Sequence, residues 1–397
     1  MDNNKQTILI VHNFYQQLGG EDGYIKKEKR LLEENGHKVF LYTRHNDELK
    51  KFSFLLKVLL PFTAIFSTRT YREVIALIKK EKIDVVHVHN TLSLISPSVY
   101  YAAIKCGVPV VQTIHNFRLL CPGATFTRDE RLCKLCTHKG LGNAIKYRCY
   151  RKSLAQTLEC VLILKIHRLL GIYTKINYIC LTEFNRHELL ELNANGRKVI
   201  DPDKVYVKSI FADIERVPVE FSKRKKQVIF IGRQERVKGI FVLLGAWKQI
   251  KDYDLLLCGS GPESDNVKKY IADNKMSNVK ALGFIDDKFK IEAISKAFAV
   301  VMPSLWYEGF PMVILESYSC GTPILGSNIG NINALVLEDK SGVTYQFDDP
   351  NSLVSALKEL ESITNDEFCN NIYQTFREKY ISAINYRQLK RIYDVVK

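Results

Sequence analysis

Glu308-Gly-Phe-Pro-Met-Val-Ile-Leu-Glu316 sets two carboxylates eight residues apart, the first in a Gly/Pro turn and the second inside an apolar run. The hydrophobic stretch 297–302 precedes it, and Gly321-Thr-Pro323 followed by Ile324-Leu325 comes after. This order reads as strand, loop, helix, turn, strand. A helix starting at Pro311 aims its first amides above the sheet, where anions are held. Glu316 comes one to two turns later, within reach of the same ligand. Amides for phosphate and carboxylates for hydroxyls together suit a nucleotide sugar.

The same alternation runs through the chain. In the first half, strands are expected at 7–11, 39–42, 85–89, 108–113 and 178–182, with helices at 21–35, 71–82, 96–105 and 153–173. After a polar stretch at 221–226, the expected linker, strands return at 228–231, 254–258 and 279–282, with helices at 239–249 and 265–274. Residues 371–397 read as helical. Strand–helix alternation implies α/β architecture with parallel sheets, and ligands at the carboxyl ends of the strands. The expectation is two Rossmann-like doubly wound domains facing across a cleft: 1–220 with a cysteine-rich insertion at 116–152, 221–375, and a final helix at 376–397 that returns to the first domain.

Composition bounds the rest. The chain has 397 residues and a formal charge of +15. Residues 1–222 carry 34 Lys+Arg against 22 Asp+Glu, or +12, which leaves +3 for the remainder. A basic half suits a polyanion, an anionic membrane surface or phosphorylated substrates. Met1-Asp-Asn-Asn-Lys5 runs into the first strand without a signal-peptide pattern, so a cytoplasmic chain is expected. The apolar run 52–66 is too short to span a bilayer and is interrupted by Lys57 and Pro61. Flanked by Lys50, Lys51 and Arg69, it reads either as a membrane-interface segment or as a buried helix or acceptor lobe.

Gly232-Arg-Gln-Glu-Arg-Val-Lys-Gly239 follows a strand and opens a helix, so Arg233 and Lys238 are placed to neutralise a diphosphate. Gly19-Gly20, after the first strand, is not the dinucleotide Gly-x-Gly-x-x-Gly fingerprint, and NAD binding is not expected. With Gly-Ser-Gly-Pro at 259–262 and Leu-Gly-Phe at 282–284, these pieces resemble the retaining family 4 glycosyltransferases of the GT-B fold. The likeness covers nearly the whole chain and is strongest over 228–340.

The resemblance implies roles. Arg233 and Lys238 hold the donor diphosphate, Glu316 the ribose hydroxyls, and Glu308 the transferred sugar. Amides near Gly309, Phe310 and Val313 meet sugar and phosphate, Phe284-Ile285 meets the base, and Gly19-Gly20 lies against the phosphates. His115, the catalytic partner of Glu308, contacts the donor sugar. The resemblance further implies a hexosyltransferase that retains anomeric configuration, needs no metal for catalysis and serves bacterial capsule, O-antigen or exopolysaccharide synthesis. Its acceptor is then a glycan or polyprenyl-diphosphate-linked glycan at the inner face of the cytoplasmic membrane, where the enzyme is peripheral. The stretches Asp201-Pro-Asp203 and Asp252-Tyr-Asp254 lie away from strand carboxyl ends and read as turns.

Cys121, Cys133, Cys136 and Cys149 have the spacing of a structural zinc site, and their segment looks like an insertion of one subgroup of these transferases. The other reading is reduced, partly buried thiols. Cys106, Cys160, Cys180, Cys258, Cys320 and Cys369 are expected in the core. The insertion is also basic and aromatic, which suits anionic lipid; nucleic acid is not expected as a partner. Two rivals remain: a nucleotide-sugar epimerase of the same fold, and a non-catalytic nucleic-acid or membrane binder.

Overall fold

The computed structural model describes residues 5–16, 19–194, 196–214 and 216–397. The signal-peptide reading at Met1 to Asn4 falls outside them, as does the side chain of Lys57. The chain divides into two compact units. One comprises the described residues of Met1–Thr125, with Cys133–Ile210 and Asn385–Lys397, and the other Phe126–Leu132 and Phe211–Ile384.

The first unit holds strands β1 (Thr7–Phe14), β2 (Lys38–His45), β3 (Val85–Asn90) and β4 (Val110–Ile114). An antiparallel ribbon, β5 (Thr127–Arg128) and β6 (Arg131–Leu132), belongs to the other unit. Strands β7 (Asn177–Cys180) and β8 (Val205–Val207) complete a parallel sheet of order β2-β1-β3-β4-β7-β8. The second unit holds β9 (Lys225–Ile231), β10 (Asp254–Cys258), β11 (Val279–Gly283), β12 (Ala297–Met302), β13 (Ile324–Ser327) and β14 (Gly342–Tyr345). Its order, β11-β10-β9-β12-β13-β14, is again that of a doubly wound sheet. Every residue of β12 is buried, as a parallel strand covered on both faces requires.

Each sheet is sealed by helices. In the second unit Leu243, Leu244 and Trp247 of the helix Ile240–Trp247 pack on Val228, Leu255, Val301 and Leu325. In the first, Leu389, Ile392 and Tyr393 of the helix Ser382–Val396 join Ile8, Ile10 and Val85. Burying a side chain of this size stabilises by about 1.5–3 kcal/mol, so the first core depends on the end of the chain.

Four expectations are corrected. Residues 221–226 are not a linker: Phe221–Lys223 is a short 3-10 turn, and Lys225 and Lys226 already belong to β9. Their charge marks the exposed start of a strand, and the units divide at Ile210/Phe211. The returning segment begins at Asn385, not 376. The long helix expected over 153–173 stops at Leu169, because Gly171 takes φ +68° and a separate turn follows. Cys106, placed just after the helix Ser98–Lys105, is half-buried, while the other five expected core cysteines are buried.

The apolar run forms the helix Phe54–Ile65, capped by Ser53 and carrying Pro61 within it. It is not a buried helix. Phe54 is 84% exposed, Leu55 66% and Phe62 69%, whereas Ala64 packs inward at 1%. Among the described residues no helix is long and apolar enough to cross a membrane.

Candidate functional site

In the second unit three loops meet at the carboxyl ends of β9, β10 and β12. Gly239 has φ +72°, and a Cβ there would lie 1.7 Å from the Pro303 carbonyl oxygen. Gly259 has φ +114°, and its Cβ would fall 2.1 Å from the Gly232 oxygen. Only glycine permits both the backbone angle and the approach. Gln234 ties the loops further by donating from Nε2 to the Gly259 oxygen at 2.8 Å.

This layer holds Lys238 against Glu308. Lys238 Nζ at 2.7 Å, Ser304 Oγ at 2.7 Å and Trp306 Nε1 at 2.9 Å all donate to Glu308 Oε1. Burial works to raise the Glu308 carboxyl, but Lys238 and the two neutral donors outweigh it and hold the group below its ordinary range. The loop backbone is fixed by Asn331, whose Nδ2 donates to the oxygens of Glu308 and Gly309 at 2.7 and 2.6 Å.

Glu316 lies on the helix Met312–Tyr318, for which Pro311 is the cap rather than the first residue. Lys290 Nζ donates to its Oε1 at 2.7 Å, while its Oε2 is buried without a hydrogen-bond partner. One oxygen is thus oriented by a lysine and the other is ready to accept from hydroxyls. Arg233 stands over Glu235, with Nη2 2.7 Å from Oε1. Phe284, just past β11, is 85% exposed, and Ile285 beside it is half-buried. The ring of Phe310 packs against Tyr380, and Val313 occupies the first turn of the Glu316 helix.

His115, Gly19 and Gly20 lie in the first unit. Gly19 caps the helix Gly20–Glu34, and its N–H donates to Asp22 Oδ2 at 2.9 Å. A Cβ on Gly20 would meet nothing within 4 Å, so the backbone there is open to a ligand. His115 follows β4, and its Nε2 is 2.9 Å from His89 Nδ1. His89 Nε2 in turn stands 3.1 Å from Glu28 Oε2, off the line of a good hydrogen bond. Burial first, and then the neighbouring His89, pushes the His115 imidazole well below its usual range, so it is neutral near pH 7.

Behind these rings lies an ion pair not evident from sequence. Lys208, fully buried, sits 3.3 Å from Glu28 Oε1 and donates to Tyr24 Oη and Asn385 Oδ1, each at 3.0 Å. Burial opposes the Glu28 charge, yet Lys208 and the nearby imidazoles hold the carboxyl well below its ordinary value. Glu28, His87 and His89 bring their ligand atoms within 4.8 Å of one another. Lys208 already supplies the cation at Glu28, so the trio reads as a packed charge network and not a metal centre. Glu28, Lys208, Lys290 and Asn331 carried no motif of their own.

The four cysteines of the insertion are neighbours. A Cβ on Gly123 would lie 3.6 Å from Cys121 Sγ and 3.8 Å from Cys149 Cβ. Burial, then Cys121 and Cys149 and finally Cys133, pushes the Cys136 thiol up to about 12. Among the described residues, the Glu28 trio meets the 4.8 Å spacing and no three of these sulfurs are found to do so.

Residues 212–379 match the family of glycosyl transferases group 1, and residues 19–152 match glycosyltransferase family 4. The chain is similar to an Escherichia coli UDP-Gal:alpha-D-GlcNAc-diphosphoundecaprenol alpha-1,3-galactosyltransferase, 27% identical over 78% of this chain and 73% of that one. It is 22% identical to the phosphatidyl-myo-inositol mannosyltransferase of Mycolicibacterium smegmatis, over 95% and 90% of the two chains. The Anabaena protein HepE, solved in complex with UDP, superposes with a TM-score of 0.66 at 16% identity, covering 98% of this chain and all of that one, a likeness of fold.

The Glu28 network makes a pH prediction. Because its folded carboxyl is depressed, its stabilisation is present above the unfolded value of about 4.3 and is lost as pH falls through the folded one. Glu28→Gln leaves Lys208 buried without its counter-charge, at an expected cost of about 3–5 kcal/mol at pH 7. Urea unfolding from pH 7 down to pH 3 should show the gap between the two proteins narrowing below about pH 4. A gap that stays constant across that range contradicts the charged pair.

Proposed function

The chain is a family 4 glycosyltransferase of the GT-B fold, and from that premise we propose that it transfers a hexose, with retention, from a nucleoside-diphosphate sugar to a lipid-linked glycan. The observation that carries this reading is the paired arrangement in the second unit, where Lys238 orients Glu308 and Lys290 orients Glu316. Glu316 Oε2 accepts the ribose hydroxyls, and Phe284 offers the base an exposed ring. Arg233 and Lys238 lie on the loop that precedes the helix Ile240–Trp247, suited to a diphosphate.

The chemistry follows from charge. The bond from the anomeric carbon to the diphosphate oxygen breaks, and negative charge grows on the leaving group. Arg233 and Lys238 stabilise that charge in place before the step, so no metal is assigned to it. The acceptor hydroxyl attacks the same face and forms the new carbon–oxygen bond. Its proton passes to the departing diphosphate. Glu308, held as a carboxylate, anchors the sugar hydroxyls.

A lipid-linked acceptor is supported by the named substrate of the Escherichia coli relative and by the helix Phe54–Ile65, whose exposed apolar face is flanked by exposed Lys50 and Lys51. Such a helix suits an anionic membrane interface, so the enzyme is assigned to the membrane periphery in bacterial cell-surface polysaccharide synthesis.

Cys121, Cys133, Cys136 and Cys149 are assigned one structural zinc. Four thiolates make a donor set suited to that ion, and the four residues lie near one another, so that binding would draw their sulfurs in from the present wider spacing. When bound, the metal would fasten the insertion and take no part in transfer.

Two experiments test these assignments. Incubated with nucleotide sugars and a lipid extract, the enzyme should yield a glycolipid whose new linkage keeps the donor's anomeric configuration by NMR. Glu308→Gln and Arg233→Ala should lose about a hundredfold or more in turnover, the scale of one lost transition-state contact; full activity in either would remove its role. Elemental analysis of protein purified without chelator should give about one zinc per chain, falling sharply in Cys136→Ser. Zinc-free wild-type protein of normal stability would refute the metal assignment.

A further inference from the structure

The first unit contains a cavity of about 70 Å³ that His115 shares with residues given no part in donor binding. Its lining includes the polar residues His115, Asn116 and Arg118. Apolar lining is supplied by Leu92, Ile163 and Leu164. Arg118 is unusual among them. Its Nε and Nη1 are buried without a hydrogen bond of ordinary geometry, the Cys160 thiol being a weak partner at hand, and the guanidinium lies 5.2 Å from the Tyr150 ring centroid. The carboxyl of Glu21, which acts on Arg118, is pushed up to about 8 by burial, against the opposing pull of its hydrogen bond from Tyr15.

A guanidinium with two buried N–H groups so weakly satisfied is costly unless an anion completes it. The matching anion is one that accepts two parallel hydrogen bonds, a carboxylate or a phosphoryl group. The apolar part of the lining selects between ligands. Ala64, the inward residue of the helix Phe54–Ile65, lines the same cavity. The helix that exposes Phe54 and Phe62 to solvent therefore also borders the space beside Arg118. An apolar chain lying along that helix and ending in a phosphoryl group would satisfy both parts of the lining.

We infer that Arg118 is the receptor for the phosphoryl group of an amphiphilic acceptor, whose hydrocarbon runs beneath the helix Phe54–Ile65 and whose sugar lies toward His115. This rests on the transferase reading and adds the residue that binds the acceptor's phosphoryl group. The phosphoryl group belongs to a lipid carrier; a soluble phosphorylated acceptor shares the anion but leaves the apolar lining unused.

The test uses the full chain and isothermal titration with three probes: farnesyl diphosphate, inorganic diphosphate and farnesol. Farnesyl diphosphate should bind the wild type, at least tenfold weaker to Arg118→Gln, and more weakly to Arg118→Lys, which keeps the charge but loses the planar fork. The dependence on Arg118 should persist in an Arg233→Ala background, which removes the diphosphate contact assigned to the donor loop, and farnesol should not distinguish the variants. Inorganic diphosphate binding as tightly as farnesyl diphosphate, with the same dependence on Arg118, would support the phosphoryl receptor and overturn the lipid assignment. Equal farnesyl diphosphate binding by wild type and both Arg118 variants would overturn the proposal. The transferase reading has a separate readout in the nucleotide response of Arg233→Ala, so the two can fail independently.

Discussion

The Pro303 carbonyl lies where a Cβ on residue 239 would have to stand. That close approach, with the matching one of Gly259 on Gly232, presses three loops into one layer above the second sheet. The geometry of the donor side depends on it. Lys238 immediately precedes Gly239, and Ser304 immediately follows Pro303, so closing the gap brings a cation and a hydroxyl to the same oxygen of Glu308. A side chain at position 239 would part the loops and release both. The site is therefore built by backbone contact first, with the charges placed by it.

The first unit solves a different problem. Its histidines lie at the ends of β3 and β4 in a buried region where a free charge is expensive. Glu28 and Lys208 pair there at 3.3 Å, and Asn385 from the end of the chain completes the lysine's shell. The result is a rigid polar base under His89 and His115. The final helix thus contributes a polar group as well as the apolar side chains that close the core.

Much of this was legible in the sequence. Strands of doubly wound sheets announce themselves as apolar runs of five to eight residues, and glycine-bounded turns mark their ends. The Glu308/Glu316 spacing and the Arg233 to Gly239 loop were readable because loop, helix and charge lie within one short segment. What was not legible depends on distance along the chain. Lys208 is 180 residues from Glu28, and Lys290 is 26 from Glu316; both look like ordinary lysines in a lysine-rich chain. The stretch at 221–226 misled because the exposed start of a parallel strand carries the same charges as a linker. The run at 52–66 left two readings open, since periodicity alone does not tell an exposed apolar helix from a buried one.

The central claim is that the second unit binds a nucleoside-diphosphate sugar through Lys238 and Glu316. It is tested most directly by thermal denaturation of wild type, Lys238→Ala and Glu316→Ala against UDP, GDP, ADP and their sugar conjugates. A ligand present at a hundredfold excess over its Kd adds about 2.7 kcal/mol of stability. The account predicts that one nucleotide class raises the wild-type midpoint and that both variants lose the response. Silence across the panel, or equal shifts in all three proteins, would contradict it.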